Sequence, residues 1–116
     1  MPTLTPEQIY VQARDASQVA AEAQNAKLLP EAKRGFDCGF AWVTIKPARG
    51  PFVAFLKAHN IGNKHSFSGG PGYGLWYSAL HDIPTQSISV HEAAARAFAA
   101  VLKEHGIEAS TGSRLD

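Results

Sequence analysis

Phe40 and Trp42 stand two positions apart in the run Cys38-Gly39-Phe40-Ala41-Trp42-Val43-Thr44-Ile45. In an extended backbone alternate side chains point to opposite faces. Phe40 and Trp42 therefore share one face, with Thr44 and Lys46 further along it, while Ala41, Val43 and Ile45 take the other. Two flat rings at this spacing can stack the bases of a nucleotide or of a single nucleic-acid strand, at about 1–3 kcal/mol per base. They can equally form half of a core, covered by a helix or a second subunit, because aromatic rings remove large apolar areas from water. Lys46, Arg49 and Lys64 are the cations placed to neutralise phosphates beside such a platform.

Charge along the chain points the same way. The net charge is only +1, yet residues 27–64 hold seven Lys or Arg against Glu31 and Asp37, and the rest holds four against eight. A basic stretch attracts phosphates if it folds into one patch, and is otherwise a set of solvated side chains.

The second feature is Gly69-Gly70-Pro71-Gly72-Tyr73-Gly74. A dinucleotide-type phosphate loop needs a helix directly after it. Here Leu75, Trp76 and Tyr77 follow in a strand-like run, so the glycines read as a hairpin tip. Tyr73 and Trp76 beside that tip are contact residues for a ligand or a protein partner. Cys38 would need an adjacent histidine, His59 or His65, to act as a nucleophile, and no local signature supports the pairing. The five histidines are never spaced four apart on one helix, and the single cysteine excludes a cysteine-based zinc site. Catalytic residues, metal and cofactor are all expected to be none, and a non-enzymatic protein is the better reading.

The elements that would position these residues are legible in order. Leu4-Thr5-Pro6-Glu7-Gln8-Ile9 combines an N-cap, a first-turn proline, a capping box and a hydrophobic staple. The helix it starts should run to about Leu28, with Ile9, Ala13, Ala16, Ala20, Ala23 and Ala26 as its inner stripe. Residues 29–37 read as a polar linker. The aromatic strand spans Cys38 to Lys46 and ends at Pro47. Gly50-Pro51 opens a short helix with Phe52, Phe55 and Leu56 inward. Lys64–Ser68 alternates as a second strand, and Gly74–Leu80 as a third. Ser89 and Glu92 form a second capping box for a helix to about His105. Ile107–Thr111 makes a last strand, and residues 112–116 a tail from which Arg114 can reach a ligand on the sheet edge.

The expected fold is α+β. It is a four-stranded ferredoxin-like β-α-β-β-α-β sheet preceded by an extra N-terminal helix, which is a candidate cover for the open sheet face. At 116 residues the chain is one domain, with residues 1–29 as the added helix and 38–116 as the α+β core. No signal-peptide succession and no apolar run of about 20 residues is present, so a cytoplasmic protein without a membrane partner is expected. The alanine-rich first helix and the aromatic face are both surfaces on which a homodimer can form.

The segment from Cys38 to Ile45 resembles the RNP1 motif of RNA-recognition domains at its second to sixth positions. It departs at Cys38, where the motif has a basic residue, and at Ile45, where it has an aromatic one. It also lies on the first strand, whereas RNP1 lies on the third. More broadly, Cys-Gly-Phe-Ala-Trp-Val at residues 38–43, the glycine-rich turn with Trp76, Gln86-Ser87, Glu92-Ala93 and the closing Ser113-Arg114-Leu115-Asp116 resemble small uncharacterised bacteriophage-encoded proteins. That resemblance implies a setting and carries no activity. The sequence thus supports two functions, with a small enzyme of unknown class as a third reading behind them. The first is a nucleotide or single-stranded nucleic acid bound at Phe40, Trp42, Lys46, Arg49, Lys64, Tyr73 and Trp76. The second is an inhibitor that binds a host protein.

Overall fold

The computed structural model describes residues 4–28 and 38–116, so the expected linker lies outside the described residues. The first helix, α1, spans Pro6–Lys27. Its capping box forms as expected: the Gln8 amide donates to Thr5 Oγ1 at 3.2 Å, and the Thr5 amide donates to Gln8 Oε1 at 2.8 Å. Strand β1 spans Gly39–Lys46, helix α2 Pro51–Ala58 and strand β2 Tyr73–Trp76, which runs into a single 3-10 turn at Tyr77–Ala79. Helix α3 spans Ile88–Glu104 and strand β3 Glu108–Leu115. The three strands form one antiparallel sheet in the order β2-β1-β3.

Four boundaries depart from expectation. Lys64–Ser68 forms no strand, and only Asn63 bridges to Gly74 there. The third expected strand stops at Trp76, because Tyr77 turns into the 3-10 helix. Helix α3 starts two residues early, with Ser87 at its N-cap, which leaves Ser89 inside the first turn. Glu92 instead accepts a 2.6 Å bond from the Ser113 hydroxyl, tying α3 to β3. The last strand extends through the expected tail, since β1 offers a pairing partner at every position from Gly39 to Lys46.

The core lies between the sheet and the helices. Ala41, Val43 and Ile45 of β1 face it, with Leu75 of β2, Phe52, Val53 and Leu56 of α2, and Val90, Ala94, Phe98 and Leu102 of α3. Helix α1 packs along α3 and touches α2, so it lies on the helical side and not over the open sheet face. Its buried row is Ile9, Ala13, Ser17 and Ala21, a strict four-residue spacing that departs from the expected stripe after Ala13. Alanines add little apolar area, so hydrogen bonds supplement the packing. The Leu80 carbonyl accepts from Ser17 Oγ and from Arg14 Nη1, the latter at 3.0 Å, and the Asp82 amide donates to Gln18 Oε1 at 3.0 Å. No described helix is long and apolar enough to cross a membrane.

Those contacts hold the segment that carries His81, which forms a buried histidine pair with His91 of α3. His81 Nε2 and His91 Nδ1 lie 2.8 Å apart. His81 Nδ1 accepts from the Ile83 amide at 3.1 Å, so in the neutral ring Nε2 carries the proton and donates to His91. Tyr77 stacks on His91 with ring centroids 3.7 Å apart. Burial pushes the His81 pKa below its usual value, the Arg14 charge pushes it further down, and Asp82 partly opposes them. The unfolded chain therefore takes up this proton at about pH 6.5, before the folded chain does. The His81 contribution to stability is complete above that pH and is lost as the pH falls through it and through the lower folded value. Urea midpoints measured from pH 8 to pH 5 should fall steeply below about pH 6.5 in the wild type and less steeply in His81→Gln.

Candidate functional site: an aromatic cleft on the open sheet face

Antiparallel register places Trp76 of β2 directly opposite Trp42 of β1, and Arg114 of β3 opposite Phe40. All four side chains therefore lie on the sheet face away from the helices. The two indoles are parallel within 3°, with centroids 5.8 Å apart. Phe40 packs on Trp76 at 5.3 Å and on Tyr77 at 6.5 Å. The Arg114 guanidinium lies 5.7 Å from the Phe40 ring centre, in cation–π range.

The segment that was expected to be a second strand crosses this face. Ser68 Oγ accepts the Trp42 indole N–H at 2.6 Å, and Ser66 Oγ meets Thr44 Oγ1 at 3.2 Å. The two-residue spacing of the serines matches the two-residue spacing of Trp42 and Thr44 on the strand beneath. Between them Phe67 turns against Trp76, with centroids 4.9 Å apart, and against Trp42 at 6.5 Å. Two glycines make this approach possible. Gly72 has φ +134°, and a Cβ there would lie 2.5 Å from Thr44 Cγ2. At Gly112 a Cβ would lie 2.5–2.7 Å from three atoms of the Trp42 indole, so the ring lies flat on the bare backbone of β3. Within the glycine-rich run, Gly72 and Gly74 serve close approach, while Gly69 and Gly70 turn the chain at positive φ in open space.

Trp42 is consequently 7% exposed and Thr44 2%. The cover comes from residues 64–72, and neither α1 nor a second subunit is needed. What stays open is a cleft of about 430 Å³ lined by Trp42, Phe67, Trp76 and Arg114. Phe40 and Trp76 are half-buried beside it, and Phe67 and Arg114 are exposed.

The residues expected from sequence separate into four groups. Phe40, Trp42 and Trp76 come together as expected, with Trp42 as the floor. Tyr73 does not join them: its neighbour Gly74 takes the open face, and Tyr73 packs in the core. Its hydroxyl donates to the Ile61 carbonyl, and burial raises its pKa above the usual phenol value. Lys46 and Arg49 lie at the far end of β1, where they line a second groove of about 330 Å³ with Ile9, Phe52, Val53 and Ile107 among its walls. Lys64 is exposed on the covering loop and does not line the cleft. The cation at the cleft is Arg114, which the sequence placed in a tail. Its signal was register: only the pairing of β3 along all of β1 brings it opposite Phe40. Phe67 had no sequence signal beyond its type.

Cys38 directly precedes β1, bridging to Ser87, and its Sγ lies 3.4 Å from Gln86 Oε1. His59 packs on Phe55 at the end of α2, with centroids 4.4 Å apart. Among the described residues no group of three His, Cys, Asp or Glu side chains could hold a metal ion. Comparison with protein-family models, with curated proteins and with solved structures finds no match to the chain.

The geometry makes Gly112→Ala a direct probe of the floor. The new methyl must displace the Trp42 indole and break its bond to Ser68, at a cost of about 1–3 kcal/mol. Urea unfolding should register that loss, and tryptophan emission should shift to the red as Trp42 meets water.

Proposed function

We propose that the cleft binds one flat, anionic group, a nucleotide or one base of a single nucleic-acid strand, and that the protein is a binding module and not an enzyme. The observation that carries this is the parallel aromatic pair with Arg114 at its rim, in a cleft that is open among the described residues. Stacking supplies sequence-tolerant affinity, and one guanidinium matches one phosphate. Lys46 and Arg49 take no part, because they belong to the groove at the other end of β1. The same reading holds the frame to be ferredoxin-like. On it, β3, β1 and β2 correspond to the fourth, first and third strands, and residues 64–72 replace the second by lying over the face.

The exposed ring of Phe67 favours a second reading, in which the cleft receives an aromatic or apolar side chain of a host protein that the module inhibits. Titration of tryptophan fluorescence separates the two. Nucleoside monophosphates and short oligothymidylates should quench the emission, with affinity falling as salt rises. Trp76→Leu and Arg114→Ala should each weaken binding by about tenfold or more, while Lys46→Ala and Lys64→Ala leave it within about twofold. Emission that stays flat across all nucleotides would refute the nucleotide reading.

A further inference from the structure

Strand β3 lies at the edge of the sheet. Its inner side pairs with β1 along all eight residues, and among the described residues nothing pairs with its outer side. The Asp116 amide donates to the Cys38 carbonyl at 3.1 Å. That bond fixes the parity of the ladder. Residues 108, 110, 112, 114 and 116 turn their amides and carbonyls toward β1, and Ala109, Thr111, Ser113 and Leu115 turn theirs outward. Natural edges are guarded by charged side chains, most often lysines, by prolines, by bulges or by a covering element, and the charges of β3 are Glu108 and Arg114, one of each sign at opposite ends. Glu-Ala-Ser-Thr-Gly-Ser-Arg-Leu carries no lysine or proline, and its pairing with β1 runs without a bulge.

We propose that this edge is the interface with a second copy of the chain, the two β3 strands pairing antiparallel about a two-fold axis through Thr111. Side chains select that register. With Thr111 opposite its own copy, Glu108 lies opposite the partner's Arg114, and Leu115 opposite the partner's Ile107. By symmetry each pair occurs twice. Leu115 is 70% exposed in the single chain, and Ile107 is partly buried, so the pairing covers an apolar side chain otherwise left in water. Glu108 and Arg114 fall at a position without outward backbone bonds, where opposing side chains approach most closely. Sliding by two residues one way sets Glu108 against Asp116, and the other way against Gly112, so neither shift keeps the match.

The partner copy also reaches the cleft, where its carboxylate would compete with a phosphate for the Arg114 guanidinium. Arg114 lines it, and the partner's Glu108 would meet Arg114 at its rim. In the six-stranded sheet both clefts open on one face, with the two β1 strands about 14 Å apart, three strand spacings. The pairing itself stands whether or not the cleft holds a nucleotide.

Sedimentation velocity between about 5 and 500 µM tests it. The mass should rise with concentration from the 12.4 kDa of one chain toward twice that value. Thr111→Pro removes an outward amide and leaves the bonds to β1 intact, so it should stay monomeric with wild-type circular dichroism. Glu108→Arg and Arg114→Glu should each raise the dissociation constant about tenfold, and the double variant should return within about threefold of wild type. A monomer at the highest concentration would overturn the proposal. So would a dimer unmoved by these substitutions. If Thr111→Pro does not fold, the charge-swap series decides alone.

Discussion

The indole of Trp42 lies flat on the backbone of Gly112, and its N–H is held by Ser68 from above. The open sheet face depends on this contact. A large ring with one polar atom can be buried only if that atom is bonded, since an unpaired buried donor costs about 1–3 kcal/mol. Ser68 meets that requirement, and in doing so it fixes where residues 64–72 cross the sheet. Once they cross there, Phe67 is set against Trp76, and the uncovered remainder becomes a cleft.

The expectation of a second strand failed for the same reason. Lys64–Ser68 alternates, and alternation normally means one face on a core. Here Ser66 and Ser68 point down onto Thr44 and Trp42, and the backbone lies over the sheet instead of joining its edge. Hydroxyl groups on the inward side favour polar contacts over ladder pairing, a distinction that the period of two does not make. The helices were more legible. Capping at Thr5 and the proline at residue 6 are local signals that need no tertiary partner, and α1 and α2 start where those signals placed them. The length of β3 was not legible, because Ser-Thr-Gly-Ser has weak strand preference and only the waiting edge of β1 extends it.

Site residues were legible where they shared a strand and illegible where the sheet brought distant segments together. Phe40 and Trp42 follow from alternation alone. Lys46 shares their face, but four residues of strand separate it from Trp42, about 13 Å. Arg114 is 74 positions from Phe40 in the chain and one strand spacing away in the sheet. Proximity in sequence thus nominated cations that lie away from the cleft, and register brings Arg114 to it. The same register leaves β3 at the rim of the cleft with its outer edge free among the described residues, so the two proposals share Arg114.

The two tryptophans are chemically unequal: Trp42 is a buried, hydrogen-bonded floor, and Trp76 is the wall beside the cleft. Hydrogen exchange of the two indole N–H groups, followed by NMR with assignments from Trp42→Phe and Trp76→Phe, tests this directly. The Trp42 signal should persist through many exchange times of an open indole and sharpen no further on adding a nucleotide, while the Trp76 signal exchanges rapidly and shifts. Equal exchange rates for the two signals would contradict the account, because they would mean that residues 64–72 do not cover the face.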